Sequence, residues 1–98
     1  MIEHIVLFKL SLEGEDKQKQ IALIKEELEK LPMVIDELKE MRVSGNVNPR
    51  EEYDFMLLAT LEDEAAIDKY ALHPQHQEIL KHHIKPYLEK RACVDIRI

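Results

Sequence analysis

Ile2-Glu3-His4-Ile5-Val6-Leu7-Phe8-Lys9-Leu10 decides the fold. Strand alternation puts Ile2, His4, Val6, Phe8 and Leu10 on one face and Ile5 and Leu7 on the other. Both faces are apolar at the centre, so both need cover. Helices of the same chain can cover one. The other calls for a second sheet.

The rest of the chain supplies those helices and three more strands. In residues 15–31, Ile21, Ile24, Leu28 and Leu31 recur at helical spacing, and Pro32 ends the run. Residues 38–47 read as a second strand that ends in the turn-forming run Gly45-Asn46-Val47-Asn48-Pro49. Residues 53–61 read as a third, with Tyr53, Phe55, Leu57, Ala59 and Leu61 on one face and Met56 and Leu58 on the other. Asp63 is the expected N-cap of a helix over 64–72. Pro74 opens a last helix reaching about Lys85, before Pro86. Residues 92–98 form a fourth strand, with Ala92, Val94, Ile96 and Ile98 opposite Cys93, Asp95 and Arg97.

Strand, helix, strand, strand, helix, strand is the ferredoxin-like βαββαβ order. The fold class is α+β, a four-stranded antiparallel sheet with helices on one face. The bare face should be polar, yet it carries Ile5, Leu7, Met56 and Leu58. Pairing two such faces removes a few hundred Å² per subunit from water, which at roughly 25 cal/mol per Å² amounts to several kcal/mol. The expected partner is therefore a second copy, packed sheet to sheet as a dimeric barrel.

The chain has 98 residues and a formal net charge of −6, which make one acidic domain over residues 1–98. There is no basic cluster, so neither nucleic acid nor an anionic membrane is an expected partner. No apolar run is long enough to span a bilayer, and the N-terminus lacks a signal-peptide pattern. The single cysteine, Cys93, excludes an internal disulfide and suits a reducing, cytoplasmic setting. It reads as a buried, inert thiol.

Chemistry concentrates in Tyr70-Ala71-Leu72-His73-Pro74-Gln75-His76. His76 can serve as a general base, and Tyr70 as a hydrogen-bond donor to a developing oxyanion. The bland alternatives are a histidine that fixes a helix entry and a tyrosine in the core. His73, before Pro74, reads as a cap beside any ligand held there. His4 and Asp95 lie on strands expected to be neighbours, where a pair would raise the histidine's proton affinity. Val6, Phe8 and Phe55 are expected to line the barrel interior and to suit an apolar or aromatic ligand. No Walker A or G-x-G-x-x-G sequence calls for a cofactor. With no HExxH or cysteine pair, no metal site is expected either.

His4-Ile-Val-Leu-Phe-Lys9, Gly45-Asn46, Tyr53-Asp54-Phe-Met-Leu, Tyr70-x-x-His73-Pro74-x-His76 and Val94-Asp95 occur in this order. In these motifs the chain resembles the stress-responsive dimeric α/β-barrel (Dabb) family over nearly its whole length. The resemblance implies the dimeric barrel independently. It also implies a distant likeness to a plant polyketide cyclase of the family. That enzyme's working tyrosine and histidine fall on Tyr70 and His76, its first-strand histidine on His4 and its last-strand aspartate on Asp95. A histidine in its third strand has no counterpart in Tyr53–Leu57. Three functions stay open: a stress-associated ligand binder, a cofactor-free enzyme acting beside a carbonyl, and a dimer without chemistry.

Overall fold

A computed structural model describes all residues, 1–98. Four strands, β1 (Ile2–Leu10), β2 (Leu38–Gly45), β3 (Phe55–Leu61) and β4 (Leu88–Arg97), form one sheet in the order β2-β3-β1-β4. Every neighbouring pair is antiparallel. Helices α1 (Gly14–Leu28), α2 (Ala65–Ala71) and α3 (Pro74–Ile79) cover one face. The ferredoxin-like topology read from the chain is the one observed.

Several boundaries differ for physical reasons. Helix α1 stops at Leu28, and a 3₁₀ turn carries Leu31 and Pro32 into the core's edge. The last helix is broken: α3 gives way to a π turn over Leu80–Ile84 and a 3₁₀ turn at Pro86. Strand β4 starts four residues earlier than its apolar alternation shows. It pairs with β1 from Arg97 beside Ile2 to Leu88 beside Leu10, so the length of β1 sets its extent. Its early part, Glu89-Lys90-Arg91, is charged, as suits an edge strand.

The core lies between sheet and helices. Ile21, Ile24 and Leu28 of α1 are buried with Val6, Val43, Leu57 and Phe55 of the sheet. Two part-buried carboxylates strap α1 down. Asp54 accepts from the Leu10 amide at 2.7 Å and from Lys17 at 3.0 Å. Glu29 accepts from the Val43 amide at 3.0 Å and from Lys25 at 2.8 Å. Asp63 caps α2 as expected, accepting from the Ala66 amide at 3.0 Å.

Val6, Phe8 and Phe55 correct an expectation. They do not face a barrel. They are buried on the helix side, with the Phe8 and Phe55 rings stacked at 4.9 Å. Both faces of these strands are apolar, so alternation separates the faces without saying which one meets the helices. Only Phe55 also borders a depression of about 350 Å³, shared with Leu7, Tyr53 and Met56 at the sheet's rim.

The bare face has an apolar stripe set by register: Leu58, Ile5 and Val94 in one row, and Met56, Leu7 and Ala92 in the next. Val94 is 53% exposed, and Ile96 is exposed beside it. Such a patch marks an association surface. Val94→Asp should weaken self-association by at least about tenfold, or ~1.4 kcal/mol, with the fold intact. Sedimentation velocity across a concentration series checks this; an unchanged dimer would remove the stripe from the interface.

Candidate functional site

The β1–β4 register puts His4 directly beside Asp95, and His4 Nδ1 lies 2.5 Å from Asp95 Oδ1. A carboxylate can only accept, so the imidazole N–H at Nδ1 donates. On its other side His4 neighbours Ala59 of β3. Tyr70 of α2 comes down on His4 from the helix side. Its ring meets His4 edge-on at 5.8 Å between centroids, and meets His76 of α3 at 4.2 Å. Tyr70 thus sits between two imidazoles.

The structure therefore brings together all four residues singled out for acid–base work. Tyr70 is 1% and His76 7% exposed. His76 Nδ1–H donates to the Ala71 carbonyl at 3.1 Å, which leaves Nε2 with a free lone pair. Burial pushes the pKa of His76 below its usual value. The Ala71 hydrogen bond opposes that shift, and the nearby His4, His73 and Lys85 add to it. Burial likewise raises the Tyr70 phenol well above its ordinary range, so it stays neutral and a donor. Its hydroxyl has no hydrogen-bond partner. An orphaned buried hydroxyl costs ~1–3 kcal/mol.

His73 is part-buried and acts as the cap of α3. Its Nδ1 accepts from the Gln75 amide at 3.2 Å, so that nitrogen is not free for a ligand. Cys93 corrects a second expectation: it is exposed, not buried. It lies on the helix side of edge strand β4, beyond the reach of the helices, and its Sγ is 3.6 Å from His4 Nδ1. Sequence spacing gave no sign of this neighbour, since 89 residues separate the two.

A shallow cavity of about 330 Å³ opens on the outside of this cluster and meets it at Asp95, while His4, Tyr70 and His76 lie behind its wall. It is lined by Ile2, Glu64, Ile67, Asp95 and Arg97, and an ion pair joins Glu64 to Arg97 on its wall. Asp95 thus borders the cavity and holds His4 at the same time. Neutral Tyr70 with His76 Nε2 is an arrangement that can donate to an oxygen and accept a proton from carbon or oxygen without a cofactor. No helix is long and apolar enough to cross a membrane.

Comparisons with known proteins agree with this architecture. The sequence model of the stress responsive A/B barrel domain matches residues 2–98. A dimeric ferredoxin-like protein of unknown function from Bacteroides fragilis is 33% identical and superposes with a TM-score of 0.92, over 99% of this chain and 95% of that one. A dimeric ferredoxin-like protein of unknown function from Thermobifida fusca is 31% identical with a TM-score of 0.80, over 99% and 90%. An uncharacterised protein of Streptomyces coelicolor is 34% identical over 79 residues, 79% of this chain and 80% of that protein. The two solved relatives are dimers, in keeping with the apolar sheet face.

The site yields a stability prediction with a definite sign. Because the folded pKa of His76 is depressed, the unfolded chain takes up the proton more readily. The contribution of neutral His76 is complete above pH ~6.5 and is lost as pH falls from there through the folded pKa. Thermal melts from pH 7.5 to 5 should show a drop in wild type that His76→Gln flattens. Equal slopes would show that His76 is not held neutral by burial.

Proposed function

The chain belongs to the stress responsive A/B barrel domain family, and from that premise we propose that it binds a small apolar carbonyl compound between its sheet and the α2–α3 hairpin. The observation that carries this reading is the buried, unpartnered hydroxyl of Tyr70, whose ring lies between those of His4 and His76. A ligand oxygen accepting from that hydroxyl satisfies the orphan donor, and the surrounding apolar side chains take up the rest of the ligand.

Access follows the cavity beside Asp95. Helices α2 and α3 have seven and six residues, and a π turn breaks the segment after α3. Helices this short depend on tertiary packing for their stability, so entry requires the hairpin to lift and to expose Ala66, Tyr70 and Ile79, a cost the bound ligand must offset. Tyr70 and His76 move with it, while His4 and Asp95 stay on the sheet. The ligand then closes the hairpin over itself. As a homodimer the protein carries two such sites, one per subunit, on the side of each sheet away from the partner.

A second reading is favoured by one feature. His76 Nδ1–H is spent on Ala71, which leaves Nε2 as a base beside a neutral phenol. With a carbonyl oxygen on Tyr70, His76 can remove a proton from the carbon next to that carbonyl, and the phenol stabilises the enolate. The His4–Asp95 pair holds the facing imidazole in one orientation. No cofactor takes part in such a step. The expected substrate class is a ketone, diketone or aromatic acid of modest size.

Calorimetric titration with aryl ketones and β-diketones tests the binding reading. Tyr70→Phe should weaken a ligand's affinity about tenfold, the worth of one hydrogen bond, while leaving the fold as stable as wild type or up to ~2 kcal/mol more so. Equal affinity in wild type and Tyr70→Phe would contradict it. Proton exchange of the bound ketone in heavy water tests the catalytic reading: His76→Ala should slow it about 100-fold or more, and no slowing would leave binding without base chemistry.

A further inference from the structure

We propose that His4, Cys93 and Asp95 form a binding site for a zinc-type divalent cation. Their donor atoms, His4 Nδ1, Cys93 Sγ and a carboxylate oxygen of Asp95, all lie within 4.8 Å of one another. Imidazole, thiolate and carboxylate form a mixed set that favours a borderline-soft ion over magnesium or calcium. With the thiol and carboxyl ionised, two negative charges and one neutral nitrogen match a divalent ion.

The spacing fits tetrahedral coordination. Bonds of about 2.3 Å to sulfur and 2.0–2.1 Å to nitrogen at the tetrahedral angle place the two donors about 3.6 Å apart. The structure has Cys93 Sγ 3.6 Å from His4 Nδ1. The nitrogen–oxygen separation must open from 2.5 Å to about 3.4 Å. Asp95 can supply that change, because its side chain is 38% exposed and sits on an edge strand. The ion takes the place of the proton that His4 and Asp95 share.

Two features make the site pre-built. Cys93 and Asp95 are two apart on β4, so they point to the same side, and His4 faces them from β1 by register. Two hydrogen-bonded strands thus hold all three donors, with no loop to order. That side is opposite the Ile5–Val94 stripe, so dimerisation through the stripe leaves it open. The fourth coordination position faces solvent on the exposed side of Cys93 and Asp95. An open position of this kind is the arrangement found in reactive rather than closed structural zinc sites.

This inference goes beyond the carbonyl-ligand reading. It uses His4 and Asp95 but neither the Tyr70 hydroxyl nor His76 as a donor. Cobalt(II) titration of the chelator-treated, reduced protein tests it. One ion per chain should bind, with thiolate-to-cobalt charge-transfer absorption and the visible bands of a tetrahedral ion. Cys93→Ser should abolish the charge-transfer band and weaken binding more than about 100-fold, beyond the loss expected for an outer-shell partner. Tyr70→Phe should bind cobalt as wild type does, which separates this site from the carbonyl site. In unmutated protein, zinc should slow alkylation of Cys93 by iodoacetamide. Absence of binding, a charge-transfer band that survives Cys93→Ser, or alkylation unaffected by zinc would each overturn the proposal.

Discussion

The antiparallel pairing of β1 with β4 is the constraint on which the rest depends. It joins the first strand of the chain to the last along their full length, from Ile2 beside Arg97 to Leu10 beside Leu88. It completes the sheet on which the helices lie. The same register sorts side chains: Ala92, Val94 and Ile96 go to the bare apolar face, and Cys93 and Asp95 go beside His4. A slip of one residue would exchange the two sets, bury charge in the dimer face and separate His4 from its carboxylate. Fold, assembly and site therefore share one set of backbone hydrogen bonds.

The polar cluster is an exception in an otherwise apolar interior. His76 and Thr60 are the only polar residues in the buried set apart from Tyr70 with its hydroxyl, and Tyr70 alone has a buried side-chain atom without a partner. An interior selected for stability alone would carry phenylalanine at that position. The Tyr70 ring lies where two imidazoles flank it and a carboxylate anchors one of them. Stability given up at a site whose neighbours can move protons is the expected mark of function. The two short helices that carry Tyr70 and His76 also bury Ala66 and Ile79, so the polar pair is held within the core.

Much of this was legible in the chain. The apolar centre of Ile2–Leu10 on both faces, the helical spacing of Ile21, Ile24 and Leu28, and the placing of Pro32, Pro74 and Pro86 lead to the observed topology and to a dimer. Tyr70 and His76 stand out because their spacing within one hairpin is local. The His4–Asp95 contact spans 91 residues, and its register depends on where β4 begins, which the charged run Glu89-Lys90-Arg91 conceals. The exposure of Cys93 is hidden for a related reason: a lone cysteine without a partner nearby in the sequence says nothing about how much of an edge strand stays uncovered. Val6, Phe8 and Phe55 show the remaining limit. When both faces of a strand are apolar, periodicity cannot tell the core from the interface.

The central claim is that His76 stands beside Tyr70 as a neutral imidazole with its proton on Nδ1 and its lone pair on Nε2. Long-range ¹H–¹⁵N NMR of the metal-free protein at neutral pH reads this directly. The account predicts one protonated nitrogen in the His76 ring, at Nδ1, with Nε2 at the shift of an unprotonated, non-coordinated nitrogen. A ring protonated at Nε2, or doubly protonated, would contradict it, because neither form leaves a base facing the ligand.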